Sequence, residues 1–163
     1  MKRHPSLHPL SQHHHFALIQ ALGMRRAAEA PAEKRDSAVQ RQADKFIAFW
    51  HKTGIVHFRE EEEILLPTYA RYARLDQDAG IMRLLADHAE IRAAVQDFEQ
   101  RRAKKMPIEA AAMAHLAKLL HDHVRFEEND VFPRIERMLG EENLDAMGRG
   151  LTRLHSKTDV CDI

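Results

Sequence analysis

Apolar residues recur at three-and-four spacing along most of the chain, the period of an amphipathic helix, and almost nowhere alternate as a strand requires. The spacing predicts a first helix from about Ser11 to Glu29, after a loose arm over residues 1–10, ended by the Ala-Pro-Ala-Glu-Lys loop around Pro31. A second opens at Ser37, where Ser-Ala-Val-Gln offers a capping box with Gln40, and runs to about Ala73, loosened at Gly54. Asp76 is placed to cap a third that reaches Lys104, and Pro107 to open a fourth that runs to Leu139 before Gly140. Glu141 to Leu154 suits a short fifth helix, with a loose tail over 155–163. Four long amphipathic helices joined by short loops predict an all-α, up-down-up-down four-helix bundle, a single domain spanning 1–163.

Composition supports this reading and narrows the function. The chain has 163 residues, 44% of them hydrophobic, enough for one domain's core. Lysine plus arginine and aspartate plus glutamate number 25 each, so no net field recruits nucleic acid or an anionic membrane surface. No apolar run approaches the ~18 residues of a membrane span, and Met-Lys-Arg-His-Pro is no signal peptide; a cytoplasmic protein is expected. One cysteine, Cys161, excludes an internal disulfide and any multi-cysteine zinc or iron–sulfur site. The picture changes with the histidines: there are 12, three of them consecutive at His13, His14 and His15.

The second and fourth helices carry an internal repeat at an offset of 66 residues. His57-Phe-Arg-Glu-Glu61-Glu62-Glu-Ile-Leu-Leu-Pro67 lies over His123-Val-Arg-Phe-Glu127-Glu128-Asn-Asp-Val-Phe-Pro133. In each copy histidine and glutamate stand four apart, one turn from each other on the same helix face, which is bidentate metal-ligand spacing. Both pairs fall inside apolar stripes: Phe46, Trp50, Thr53, Ile64 and Thr68 in the second helix; Leu116, Leu120, Val131 and Ile135 in the fourth. Two carboxylates therefore point into the core, and no lysine or arginine shares their stripes. A buried carboxylate without a partner costs several kcal/mol, which a bound cation offsets.

The other helices each contribute an inward histidine. His88 is surrounded by Ile81, Leu84, Leu85, Ile91, Val95 and Phe98; in the first helix His14 is in phase with Leu10 and Leu18, with His15 close behind, in phase with Leu18, Ile19 and Leu22. The candidate set is His14, His57, Glu61, His88, His123 and Glu127. Six protein ligands exceed the needs of one tetrahedral zinc and suit two metals bridged by the glutamates; nitrogen and oxygen donors without thiolate favour iron or manganese, with zinc as competitor. Glu62 and Glu128 are expected to accept hydrogen bonds from ligand histidines or to face solvent. Arg59, Arg125 and His121 belong to the surface, His51, His115 and His155 carry no spacing signal, and Pro67 and Pro133 should kink or end their helices.

These residues resemble the hemerythrin-like, or HHE cation-binding, family. The likeness covers the His-His-x-Ala-Leu start at His14, the two His-x-x-x-Glu blocks and the Asp-His88-x-x-Ile block, from about Leu10 to Glu136. It implies a four-helix bundle holding a non-haem di-iron centre, with Glu61 and Glu127 bridging two irons and His14, His57, His88 and His123 as terminal ligands. The oxygen-carrying hemerythrins have a further histidine where this chain has Leu84, and a bridging aspartate five residues after the last histidine, where Glu127 here follows His123 by four. The pattern is nearer the bacterial four-histidine, two-glutamate branch, which includes iron sensors and di-iron proteins of iron–sulfur cluster repair; the cysteine-bearing N-terminal region of the repair proteins is lacking.

The expected function is binding of O2 or NO, or sensing or buffering of iron. A di-iron redox enzyme of the oxidase, peroxidase or nitric-oxide-handling type would use the same site. No base or nucleophile outside the metal shell is evident for hydrolysis. Neither nucleic acid nor membrane is expected as a partner, and the sequence leaves the oligomeric state open.

Overall fold

Helix follows helix in the computed structural model, which describes the backbone of residues 3–158 and side chains as far as Leu154; no strand occurs among them. The tail expected over 155–163, with Cys161, lies outside the described residues beyond 158, and the His155 side chain lies outside them too. The chain joins the bundle earlier than its pattern suggests. A 3-10 turn (Pro5–Leu7) leads into α1 (His8–Ala28), and Leu7 and Leu10 are fully buried. Arg3 donates to Glu128 and Glu136, and the His4 amide donates to Glu136 at 2.6 Å. From Arg3 onward the arm expected to be loose is therefore pinned to the bundle, because charged residues far along the chain hold it.

α2 (32–69) starts five residues before Ser37, with Pro31 at its N-cap. Ser37 lies inside the helix and donates to the Lys34 carbonyl. The expected capping box is absent: Gln40 instead clasps Ile108, in the loop between the two helices that follow, donating to its carbonyl and accepting from its amide. α3 (Ala79–Ala103) is capped by Asp78, whose Oδ1 accepts from the amides of Gly80 and Ile81; Asp76 pairs with Arg74. α4 (110–139) starts after Pro107, with Glu109 as N-cap. Gly140, at φ 69°, breaks the helix and α5 (141–158) follows. Only glycine enters that left-handed region without steric cost.

The core divides in two. One half gathers Met24, Phe46, Ile91, Phe98, Met113 and Leu116. The other gathers Leu10, Leu65, Leu84, Phe132 and Ile135 and is closed by Leu144, Met147 and Leu151 of α5. On each of α1 to α4 the residues between the two halves are polar and buried: His14, His57 and Glu61, His88, His123 and Glu127. No described helix is long and apolar enough to cross a membrane.

Candidate metal centre

Three π turns interrupt α2 and α4, at Trp50–Gly54, Glu61–Leu65 and Glu127–Val131. Two of them begin at the repeated glutamates. Each ends two residues before its proline: Leu66 N–H bonds back to Glu61 O and Phe132 N–H to Glu127 O. Pro67 and Pro133 have no N–H and would clash with the carbonyl four residues back; widening the preceding turn absorbs the misfit, so both helices run on past their prolines. The extra residue also shifts the helix phase. Beyond Glu61 the buried residues are Leu65, Leu66 and Tyr69, whereas Ile64 and Thr68, expected in the stripe, are only half-buried. In α3, Leu85 likewise turns out to be exposed.

The six sequence-derived candidates come together in the polar layer, all at least nine-tenths buried. His14 occupies the first-helix position; His15 is exposed, and Ile19, in its phase, is half exposed. Two donor sets form side by side: His14, His57, Glu61 and Glu127; and His88, His123, Glu61 and Glu127. Both glutamates belong to both sets. Glu61 Oε1 faces His57 Nε2 at 3.5 Å while its Oε2 faces His88 Nε2 at 3.2 Å. Glu127 Oε2 stands 3.0 Å from His14 Nε2 and 3.2 Å from His123 Nε2.

These residues fit a pair of cations. Ligand atoms on one tetrahedral ion with bonds of 2.0–2.1 Å stand about 3.3 Å apart, which is the spacing found between these imidazole and carboxylate atoms. All four carboxylate oxygens are buried without a hydrogen-bond donor among the described residues, as are Nε2 of His88 and of His123. Orphaned buried polar atoms in such number demand an explanation, and a cation coordinated by them supplies one.

Behind the layer, carboxylates hold the imidazoles. Glu128 Oε1 is 2.6 Å from His14 Nδ1 and Glu62 Oε1 is 2.7 Å from His88 Nδ1. The support crosses between halves: the glutamate after Glu127 in α4 holds the histidine of α1, and the one after Glu61 in α2 holds the histidine of α3. Arg92 grips Glu62; Arg3 and Ser11 grip Glu128. Asp87 Oδ2 lies 3.6 Å from His123 Nδ1. Phe58 stacks on His88 and Phe132 on His14.

Proton distribution follows from the same contacts. Burial alone would lower His14, but Glu127 and Glu128 outweigh it and lift it to about 10; burial is likewise overcome at His88 by Glu61 and Glu62, which raise it to about 9. His57 is pushed well below its ordinary value by burial, with His14, His13 and His123 adding to the effect. Burial would raise Glu127, yet His123 and His14 hold it at about 2.

Sequence reasoning missed three residues around the layer. Glu60 is fully buried, and His13 Nδ1 lies 3.1 Å from its Oε2. Glu136, also buried, receives Arg3 and the His4 amide. The i,i+3 spacing of His57 and Glu60 was the available signal for the first; nothing local marked the last. Arg59 pairs with Glu63, and His121 is half exposed beside Asp122, both on the outer surface.

A family model described as the hemerythrin HHE cation binding domain matches residues 7–135. No curated protein and no solved structure matches the chain significantly.

Proposed function

Since the chain belongs to the hemerythrin HHE cation-binding family, we propose that it is a non-haem di-iron protein of the bacterial four-histidine, two-glutamate branch that reversibly binds a small diatomic gas, O2 or NO. In this reading His14 and His57 serve one iron, His88 and His123 the other, and Glu61 and Glu127 bridge them. Two ferrous ions held there would supply, by their oxidation to ferric, the electrons that O2 takes up on binding. The observation that carries the reading is the pair of buried donor sets sharing both glutamates.

The surroundings support a small ligand and a binding role. Beside His57 and His123 lies a cavity of about 20 Å³ lined by Ala17, Phe46, Trp50, Phe58, Leu120 and Val124. It has room for a diatomic molecule and little more. Its apolar wall keeps bulk water from the layer, while Glu62 and Glu128 fix two of the imidazoles. A reducing cytosol suits a chain with a single cysteine.

The test is iron content of protein expressed with added iron, followed by absorbance spectra of the reduced form before and after O2 or NO. About two irons per chain and a spectral change reversed by removing the gas are expected. Bands that decay with turnover in excess reductant would instead indicate a redox enzyme. The Glu61→Ala/Glu127→Ala variant should lose two-metal binding; retention of two metals would remove the bridging assignment.

A further inference from the structure

A second cluster of metal-ligating type adjoins the polar layer. His13 of α1 and His57 and Glu60 of α2 each offer a donor atom, and the three atoms lie within 4.8 Å of one another. His13 Nδ1 and Glu60 Oε2 are 3.1 Å apart, close to the ~3.3 Å of two ligands on one tetrahedral ion. His57 turns its Nε2 toward His14 and Glu61, which leaves Nδ1 for this cluster, and that atom is buried with no hydrogen-bond partner among the described residues.

The internal repeat argues that this arrangement is an addition to the layer's own scaffold. Shifted by the repeat offset, Glu60 falls on Phe126, so the second half has no counterpart of it. His14, His88 and His123 each have one carboxylate near Nδ1, from Glu128, Glu62 and Asp87. A single carboxylate would serve His57 equally well. Here a second imidazole stands beside it, completing a two-nitrogen, one-oxygen donor set. Glu60 is fully buried and His13 only partly, its side chain 18% exposed, so the cluster reaches from the protein surface inward.

We propose that His13, Glu60 and Nδ1 of His57 form a third cation site, for a borderline first-row divalent ion such as Zn²⁺, with a solvent-facing fourth position beside His13. Two imidazoles and one carboxylate with an open position is a recurrent zinc donor set. His57 then bridges this ion and the inner pair as an imidazolate, its ring proton displaced to solvent by the second cation, so the third ion touches the inner centre through one ring.

The test separates this site from the inner one. Protein loaded anaerobically with iron is titrated with Zn²⁺ against a chromophoric chelator, and bound iron and zinc are counted. Wild type should take up about one zinc beyond about two irons, and the Glu60→Gln and His13→Gln proteins should keep the irons and bind that zinc at least tenfold more weakly. His13 is partly exposed, so its variant reports even if Glu60→Gln disturbs folding. No additional zinc in wild type, or undiminished uptake in both variants, overturns the proposal. If the inner reading fails, iron is missing from wild type while zinc uptake still depends on His13 and Glu60.

Discussion

Replacing Glu62 by alanine should weaken one of two bound metals and spare the other. Glu62 makes three hydrogen bonds, one with His88 Nδ1 and two from Arg92. Arg92 is 42% exposed, so its bonds add no more than a few tenths of a kcal/mol to about 1 kcal/mol. His88 is fully buried, and the carboxylate at its Nδ1 fixes the ring with Nε2 toward the two donor-set glutamates. Loss of such a partner typically costs about 10- to 100-fold in metal affinity, or about 1.4–2.7 kcal/mol. His88 belongs only to the set with His123, so one stepwise constant should fall and the other hold. Glu128→Ala should do the reverse through His14, and should also lower stability by freeing Arg3 and Ser11. Glu62→Gln keeps an acceptor and should recover much of the loss. A chelator competition that resolves both constants is the assay. Equal weakening of both metals in either variant, or none, would refute the crossed support.

The remaining predictions concern protons, a cap and the register of α4. With His14 at about 10 and His88 at about 9, metal uptake near neutral pH should release about two protons, and affinity should rise with pH; a pH-stat titration that detects no release counts against this. The same raised values stabilise the metal-free protein fully below the ordinary histidine value, and that stability should fade as pH rises through 9–10, read from thermal midpoints. Asp78→Ala removes the α3 cap and the Arg134 pair, and should cost about 1–2 kcal/mol in chemical denaturation, whereas a loss below about 0.5 kcal/mol would deny the cap its role. His121→Ala should leave metal content unchanged and shift stability by less than about 0.5 kcal/mol; loss of metal would place the wrong face of α4 inward.

The bundle was legible because helical periodicity is a local property repeated many times, and the polar layer because it interrupts that periodicity at matched places. Helix boundaries were less so. Ser37 offered better local capping chemistry than Pro31, and Asp76 the same chemistry as Asp78, but the tertiary partners decided: Gln40 is used by Ile108, and Asp78 gains Arg134 as well as the α3 amides. The N-terminal arm looked loose for the same reason, since Arg3 and His4 find Glu128 and Glu136 more than a hundred residues away.

Within the site, what the sequence concealed traces to the π turns. A strict 3.6-residue period carried past Glu61 predicts Ile64 and Thr68 inside; the widened turn ahead of Pro67 moves Leu65, Leu66 and Tyr69 there instead. The prolines in the repeat were the clue, because a helix that continues through proline must lose a backbone bond or open a turn. Glu60 escaped for a different reason. Superposing the two copies rewards residues that coincide, and Glu60 lies over Phe126, so the comparison that found Glu61 and Glu127 discarded it. A buried carboxylate that breaks an internal symmetry is the residue such a comparison is least able to find. In this chain it lies beside His13 and His57, where the two halves of the layer cease to be equivalent.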